Sequence, residues 1–307
     1  MAPRRIKFLQ ADVFSATIFG GNPLAVFPRA SRLSTEEMQR IALEMNYSET
    51  AFVLPPSNKH REAHYRVRFF TPTHEIPFAG HPTLGVAYLM ADMGRIALQS
   101  PVTRVYQECG DGIVPVELRL RDGEVDTVYM HQGVPRFQGT VDDTHAVADA
   151  LSLPVSEVME TGLPMEVVST GLPVMLVPVK SLSAMMDIGL KVNTLKDLCR
   201  IFGVKGLMTF TTVTVTPEAT VHTRMFAPLL GIQEDPATGS ASGALGAYLV
   251  KHGIAATKPT AHILCEQGYA LNRPSTIFVE VDHAQDAITD VRVGGKVIKV
   301  LEGTLML

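Results

Sequence analysis

EDPATGSASG (residues 234–243) runs without a break into the apolar stretch ALGAYLV (residues 244–250). The first part is typical of an acidic turn followed by a loop of small residues, and the second part is typical of a buried helix. A helix that begins in this way presents unpaired backbone N–H groups and the positive end of its dipole, which can hold a carboxylate or a phosphate. The alternative is an ordinary capped helix, because Gly and Ser are common at helix starts.

A similar unit occurs earlier in the chain. RFFTP (residues 68–72) reappears as RMFAP (residues 224–228), 156 residues further on. GHPTLGVAYL (residues 80–89) likewise matches GSASGALGAYL (residues 239–249), and both end in Ala-Tyr-Leu. Each copy therefore predicts a strand, a turn, an acidic loop, a glycine and a helix, in that order.

Both predicted helices are apolar on nearly every side, so each must be enclosed, and a sheet wrapped around it is the natural enclosure. The rest of the sequence contains more strand patterns than helix patterns, with little strand-helix-strand alternation. We therefore predict an α+β fold of two pseudo-symmetric lobes, each a curved mixed or antiparallel sheet around a central helix. Both helix starts would face a cleft between the lobes and hold one ligand; alternatively, the duplication repeats only a packing solution.

Composition restricts the class of function. The chain has 307 residues, of which 46% are hydrophobic and 19% charged, with a net charge of −4. These values predict two globular domains and argue against nucleic-acid or membrane partners. Three scattered cysteines, Cys109, Cys199 and Cys265, fit neither a disulfide framework nor a zinc site. Because no signal-peptide core or membrane-length apolar run is present, we expect a cytoplasmic protein.

Known cofactor and nucleophile motifs are missing from the sequence. It contains no dinucleotide-binding G-x-G-x-x-G after a strand, no phosphate-binding loop and no nucleophile elbow, so we expect no cofactor and no metal. The remaining candidates for chemistry are polar side chains beside the glycine-led helix starts and the predicted strand ends: Glu49, His81, Asp235 and Ser240, supported by Glu75 and Asn22.

Glu49 follows a helix that begins at the capping box of Ser34 and Glu37, and it precedes the apolar residues 51–54. Side chains at such a junction often face a cleft. A carboxylate enclosed in a cleft can exchange protons with carbon or oxygen near neutral pH. The alternative is a solvated loop acid, which is the usual state of a lone glutamate.

Four motifs, in this order, resemble the PhzF-like family of phenazine biosynthesis proteins. They are DVF with GNPLAV (residues 12–14 and 21–26), NYSET (residues 46–50), FAGHPTLG (residues 78–85) and DPATGSA (residues 235–241). The resemblance implies the diaminopimelate-epimerase-like fold, with residues 1–122 plus about 293–307 in one lobe, residues 123–292 in the other, and the active site in the cleft between them. It also implies a homodimer.

Family members of this kind are cofactor-free isomerases acting on small carboxylate-bearing substrates. The resemblance implies that Glu49 is the proton shuttle, while His81, Asp235 and Ser240 hold the substrate and assist transfer. Backbone N–H groups at Gly80 and Gly239 would hold a carboxylate or enolate oxygen, with Asn22 also at the substrate.

One departure from the wider superfamily bears on the chemistry. Epimerases and racemases of this fold use two cysteines near the helix starts, whereas this chain has AGH (residues 79–81) and TGS (residues 238–240) there. Two-thiol racemisation is therefore disfavoured, and a proton shift through one carboxylate is favoured. Two alternatives stay open: a non-catalytic protein that binds a ligand or partner in the same cleft, and an epimerase with carboxylate bases.

Overall fold

The computed structural model describes residues 4–60, 62–255, 259–284 and 287–307. The chain divides into two compact units, Met1–Met130 with Gly294–Leu307, and His131–Val293. Each unit combines a mixed sheet with a few helices, which confirms the predicted α+β class. In the described part of the chain, no helix combines the length and the apolar character needed to cross a bilayer.

The helices and strands are numbered in chain order. The strands are β1 (Arg5–Val13), β2 (Asn22–Phe27), β3 (Thr50–Leu54), β4 (Tyr65–Phe70), β5 (Glu75–Ile76), β6 (Val102–Cys109), β7 (Gly112–Arg121), β8 (Glu124–His131), β9 (Arg136–Thr140), β10 (Glu166–Ser169), β11 (Pro173–Pro178), β12 (Gly206–Thr211), β13 (Val221–Ala227), β14 (Ile232–Asp235), β15 (Thr260–Gln267), β16 (Ser275–Ala284), β17 (Ala287–Gly295) and β18 (Val297–Met306). The helices are α1 (Thr35–Met45), α2 (Gly80–Asp92), α3 (Thr144–Leu151), α4 (Val155–Met159), α5 (Leu182–Asp187), α6 (Val192–Ile201) and α7 (Gly239–Lys251).

In the first unit the strands pair in the order β18-β1-β2-β3-β4-β6-β7-β8. The β2–β3 and β4–β6 pairs are parallel and the others are antiparallel. The short β5 returns alongside β4. Because β1 pairs with both β2 and β18, the last strand of the chain belongs to the same sheet as the first.

In the second unit the strands pair in the order β9-β10-β11-β12-β13-β15-β16. Here β11–β12 and β13–β15 are the parallel pairs, and β14 returns alongside β13. The succession of parallel and antiparallel pairs is therefore the same as in the first unit. This agreement confirms the predicted internal repeat.

The two central helices, α2 and α7, are almost entirely buried, as the predicted enclosure requires. Within the first unit, α2 packs against β1, β2 and β7, and within the second, α7 packs against β10, β15 and β16. An outer apolar cluster in the first unit lies between α1 and the sheet, where the Phe52 ring contacts both Phe27 and Phe70. The second unit has a larger cluster around α3 and α6.

The repeated Arg-x-Phe-x-Pro segment forms the same ion pair in both units. In the first, the Arg68 guanidinium donates to both carboxylate oxygens of Glu75, at 2.7 and 2.6 Å. In the second, Arg224 donates to both oxygens of Glu234, each at 2.8 Å. Both glutamates lie on short strands, β5 and β14, so the prediction of an acidic turn or loop at these positions was wrong. The turn comes after Asp235 instead.

Candidate active site

Strand pairing explains why Asn22 and Glu49 lie at the same edge of the first unit. Because β2 and β3 run parallel, with Ala25 opposite Thr50, their amino-terminal ends meet at one edge of the sheet. Asn22 begins β2, and Glu49 immediately precedes β3. The capping box of α1 forms as predicted, and Asn46 ends that helix in the left-handed conformation, φ 53°. This C-cap turns the chain toward Glu49.

His81 is the second residue of α2 and is 7% exposed. Burial lowers the pKa of its ring to about 3, although a hydrogen bond to the backbone of Pro23 acts in the opposite direction. The ring is therefore neutral at physiological pH. Proline has no N–H, so the Pro23 carbonyl accepts this bond, and Nε2 has no hydrogen-bond partner within the described chain. Nδ1 is thus the protonated nitrogen, and Nε2 carries a free lone pair.

Glu49 and His81 lie side by side. The Glu49 Oε2 atom is 3.7 Å from His81 Nδ1, and the Glu49 side chain is 16% exposed. Because the imidazole is neutral and this distance exceeds a hydrogen bond, the contact is not an ion pair. Ser48 contributes a further polar contact, since its hydroxyl donates to Asn22 Oδ1 at 3.4 Å. Glu49 is thus a partly accessible carboxylate among polar groups.

The start of α2 supplies backbone donors at the same place. Its N-cap residue, Ala79, makes no side-chain capping bond, and Pro82 in the first turn has no N–H. The first-turn N–H groups of Gly80 and His81 have no acceptor inside the helix. Together with the helix dipole they favour a negatively charged oxygen beside Glu49 and His81.

In the second unit, Asp235 is held at the end of β14, before α7. The Thr238 hydroxyl donates to Asp235 Oδ2. Gln267, at the end of β15, donates to the Asp235 carbonyl at 2.7 Å and accepts from the Thr238 backbone N–H at 3.1 Å. Asp235 is only 8% exposed, so these bonds fix a buried carboxylate at the helix start.

Ser240 and Gly239 begin α7, whose N-cap residue, Thr238, makes no side-chain capping bond to the helix. Gln132 lies across this helix start, because its Nε2 donates to the Gly239 carbonyl at 3.0 Å and its Oε1 accepts from the Thr170 hydroxyl at 2.6 Å. Gln132 fits only because residue 243 is glycine: a Cβ there would lie 2.0 Å from Gln132 Oε1. These hydrogen bonds of Gln132 hold the start of α7 in place. The first-turn N–H groups of α7 have no acceptor inside the helix.

The structure thus brings the sequence-predicted residues together in two groups. Asn22, Glu49, Gly80 and His81 form the first group, and Asp235, Gly239 and Ser240 form the second. Gln267 and Gln132 were not predicted, although both hold the second group in place. No local pattern in the sequence indicates these two supports, because each contacts a residue far away along the chain.

The cysteines and the possible metal ligands lie as follows in the described residues. Cys109, Cys199 and Cys265 are buried and unpaired, and burial raises the pKa of Cys199 to about 11 and that of Cys265 to about 12. In the ranges that the structure describes, no three His, Cys, Asp or Glu side chains are arranged to hold a metal ion.

Comparison with known proteins identifies the family of this chain. The sequence profile of the family described as phenazine biosynthesis-like protein matches residues 11–303. The chain belongs to this family. A relative named an uncharacterized isomerase, from Clostridium acetobutylicum, is 34% identical over 99% of this chain and 99% of its own length. The trans-2,3-dihydro-3-hydroxyanthranilate isomerase of Pseudomonas fluorescens is 32% identical over 98% of this chain and 99% of its own length.

Solved structures confirm the predicted fold of this phenazine biosynthesis-like protein. A PhzF-family protein of Bacillus anthracis superposes with a TM-score of 0.89 at 27% identity, covering 99% of this chain and all of that one. A hydroxyproline epimerase from Agrobacterium vitis superposes with a TM-score of 0.63 at 13% identity, covering 99% of this chain and 93% of that one. The second likeness shows the shared fold alone. The prediction of an isomerase agrees with the names of both relatives.

Proposed function

We propose that the protein is a cofactor-independent isomerase that moves a proton within a small carboxylate-bearing substrate. The observation that carries this proposal is the arrangement in the first unit. A partly accessible carboxylate, Glu49, lies 3.7 Å from a buried, neutral imidazole at the uncapped start of α2.

Glu49 is the proton shuttle in this proposal. It removes a proton from one carbon of the substrate and returns it to another, acting first as base and then as acid. One carboxylate on one face suits a shift along the same face of the substrate. It does not suit inversion, which needs a second acid on the opposite face.

His81 holds the substrate rather than carrying the proton. Its Nε2 is an acceptor without a partner among the described residues, and leaving a buried acceptor unsatisfied costs about 1–3 kcal/mol. A hydroxyl or ammonium group on the substrate would satisfy it. With a pKa of about 3, the ring stays in this accepting form throughout the physiological range.

The backbone N–H groups of Gly80 and Gly239 hold the carboxylate or the developing enolate oxygen in this proposal. Donors placed in advance where charge develops are the most effective kind of transition-state stabilisation. We propose that Asp235 and Ser240 are polar contacts for a substrate at the start of α7. The named relative from Pseudomonas fluorescens acts on a cyclic carboxylate that also carries amino and hydroxyl groups, which is the substrate chemistry that these partners favour.

The test is proton exchange in D2O. The protein is incubated with trans-2,3-dihydro-3-hydroxyanthranilate and with related cyclic or amino-acid-like carboxylic acids, and NMR detects deuterium on carbon. We expect incorporation with the wild type and a loss of about 10²-fold or more in Glu49→Gln. Glu44→Gln, a nearby exposed position on α1, is the matched control and should keep its rate within about twofold.

Three outcomes would count against the proposal. Full activity in Glu49→Gln would remove the shuttle from Glu49. Tight binding of these acids, with no exchange in any of them, would favour the non-catalytic binding protein. An inverted centre, seen by chiral chromatography of the products, would favour the epimerase.

The two helix starts can be tested separately. If the start of α7 contacts the substrate, Ser240→Ala should lower kcat/KM by about tenfold for the compound whose exchange Glu49→Gln abolishes. An unchanged kcat/KM would confine the chemistry to the first unit. On the family resemblance we also propose a cytoplasmic homodimer, which light scattering and cell fractionation test.

A further inference from the structure

A second concave site lies in the first unit, at the opposite end of α2 from Glu49 and His81. This cavity has a volume of about 1190 Å³ and is formed by the start of β1, the segment after β2, the end of β3 and the residues that follow α2. Its lining contains no Asp or Glu. It contains six cationic side chains: Arg4, Arg5, Lys7, Arg29, Arg32 and Arg95.

Most of this positive charge is not balanced. Arg4 pairs with Glu37, and Lys7 pairs with Glu302 at 2.7 Å. The side chains of Arg5, Arg29 and Arg32 have no carboxylate partner within the described residues. The whole chain has a net charge of −4, so this concentration of cations opposes the average charge of the protein.

The local fold places Arg95 in the cavity. Gly94 has φ +66°, and α2 ends in a Schellman motif in which Gly94 N donates to the Ala91 carbonyl and Arg95 N to the Met90 carbonyl. The Arg95 guanidinium then donates to the Pro28 carbonyl at 2.8 Å. Burial lowers the pKa of Arg95, and the charge of Arg29 lowers it further, so these two cations repel each other.

The second unit shows that the fold does not require a cation here. After α7, Gly253 (φ +71°) makes the same motif, with Ile254 N donating to the Leu249 carbonyl at 2.8 Å. Ile254 therefore occupies the position of Arg95. The end of each helix requires a glycine, Gly94 or Gly253, because its φ is positive, but the residue that follows need not be an arginine.

Apart from Ser31 and His64, the rest of the lining consists of apolar residues and Tyr65. Met90, Met93 and Leu54 border the cavity, and Tyr65 lies beside them with its hydroxyl buried and without a hydrogen-bond partner among the described residues. An apolar lining can pack against the organic part of a ligand. An arginine guanidinium group can donate two hydrogen bonds at once to the oxygens of a phosphate. The cavity volume of about 1190 Å³ exceeds the usual range for small-molecule sites, about 300–1,000 Å³, so a ligand would fill part of it.

We propose that this cavity binds a phosphorylated organic anion that carries several negative charges. The site is separate from the proposed active site, because α2 has thirteen residues and is therefore roughly 20 Å long. The phosphates contact Arg5, Arg29, Arg32 and Arg95, and the organic part lies on Met90 and Met93. The cavity would then be a second ligand site on the molecule.

Calorimetry with the full-length protein tests the proposal, with ATP as the probe and inorganic tripolyphosphate as the comparison. At physiological salt and without added metal, ATP should bind saturably with a Kd below about 1 mM and more tightly than tripolyphosphate. The double variant Arg29→Gln, Arg32→Gln should weaken ATP binding at least tenfold. Both residues are exposed, so folding is not at risk, and the circular dichroism spectrum should be unchanged. Arg95→Gln should also weaken binding.

The matched control is the double variant Arg136→Gln, Lys205→Gln, which also removes two positive charges from exposed positions outside the cavity and should leave the Kd within twofold. Equal weakening in this control would reduce the effect to net charge and overturn the proposal. So would the lack of saturable binding, or equal binding of tripolyphosphate, which would leave the apolar wall without a role. If a short polyglutamate displaced ATP at an equal concentration, the cavity would be an acidic-peptide site instead.

Discussion

The neutral, buried state of His81 makes a quantitative prediction about stability in acid. Replacing His81 with glutamine removes the titrating ring but keeps a side chain that can hydrogen-bond to the Pro23 carbonyl. The wild type should lose stability between pH 7.5 and pH 4.5 through this residue, and His81→Gln should not. The comparison is made within each protein across pH, so any constant cost of the substitution cancels.

The sign and magnitude follow from the two pKa values of His81. In the folded state the pKa is about 3, and in the unfolded chain it returns to about 6.5. Between these values the unfolded chain binds more protons, so stability falls as the pH is lowered through this window. At pH 4.5 the unfolded ring is two pH units below its pKa, and each unit corresponds to about 1.4 kcal/mol, which gives a loss of about 3 kcal/mol.

Urea titration at the two pH values measures this difference. The loss of unfolding free energy on acidification should be about 3 kcal/mol smaller in His81→Gln than in the wild type. His145→Gln is the control: it replaces an exposed histidine on α3 and leaves His81 in place, so its loss of stability should exceed that of His81→Gln. If His81→Gln and the wild type lost equal stability, His81 would not be a neutral buried ring, and its proposed role as an acceptor would fail with it.

Three further predictions concern packing and charge. Gly243→Ala should lower the unfolding free energy by about 2–4 kcal/mol, because the new methyl group collides with Gln132; Gln132→Ala in the same chain should relieve part of this loss, as thermal unfolding will show. In urea titrations, Glu234→Ala should lower the free energy of unfolding by about 3 kcal/mol, and Glu75→Ala by no more than about 1 kcal/mol. The reason is burial: the side chains of Arg224 and Glu234 are 8% and 12% exposed, whereas those of Arg68 and Glu75 are 18% and 39% exposed. The three cysteines should react with a thiol reagent at pH 8 only after denaturation, since all are buried with raised pKa values.

The parts of the fold that the sequence predicted are those with strong local signals. The capping box at Ser34, the strand predicted at the repeated Arg-x-Phe-x-Pro segment and the apolar stretches of α2 and α7 are all local patterns, and each forms the predicted element. The internal repeat then made it possible to predict the arrangement of the whole chain from these local patterns. Two copies of one strand-helix order imply one topology used twice, and the strand pairing confirms it.

The acidic segments before α2 and α7 show where local signals mislead. Composition favours a turn at Glu234, but a tertiary contact determines the structure: Arg224 on β13 draws Glu234 into a paired strand. The same applies to the supports of the candidate site. Gln267 and Gln132 reach residues 29 and 107 positions away, respectively, which no local pattern can indicate.

Comparison of the two units explains why a duplicated fold need not duplicate its chemistry. The Arg–Glu pair, the buried helix and its glycine are the same in both, because each is needed to build the helix start. The positions around that start differ. The residue before β3 is Glu49, whereas the one before the equivalent strand β12 is Lys205.

The carboxylate of the second unit, Asp235, correspondingly lies one residue after the glutamate of the ion pair, where the first unit has Ile76. The second residue of the helix is His81 in one unit and Ser240 in the other. Each unit therefore keeps one carboxylate and one neutral polar side chain beside an uncapped helix, but at different positions. The repeated frame thus fixes the start of the central helix in each unit, while the chemistry there depends on which positions around it carry polar side chains.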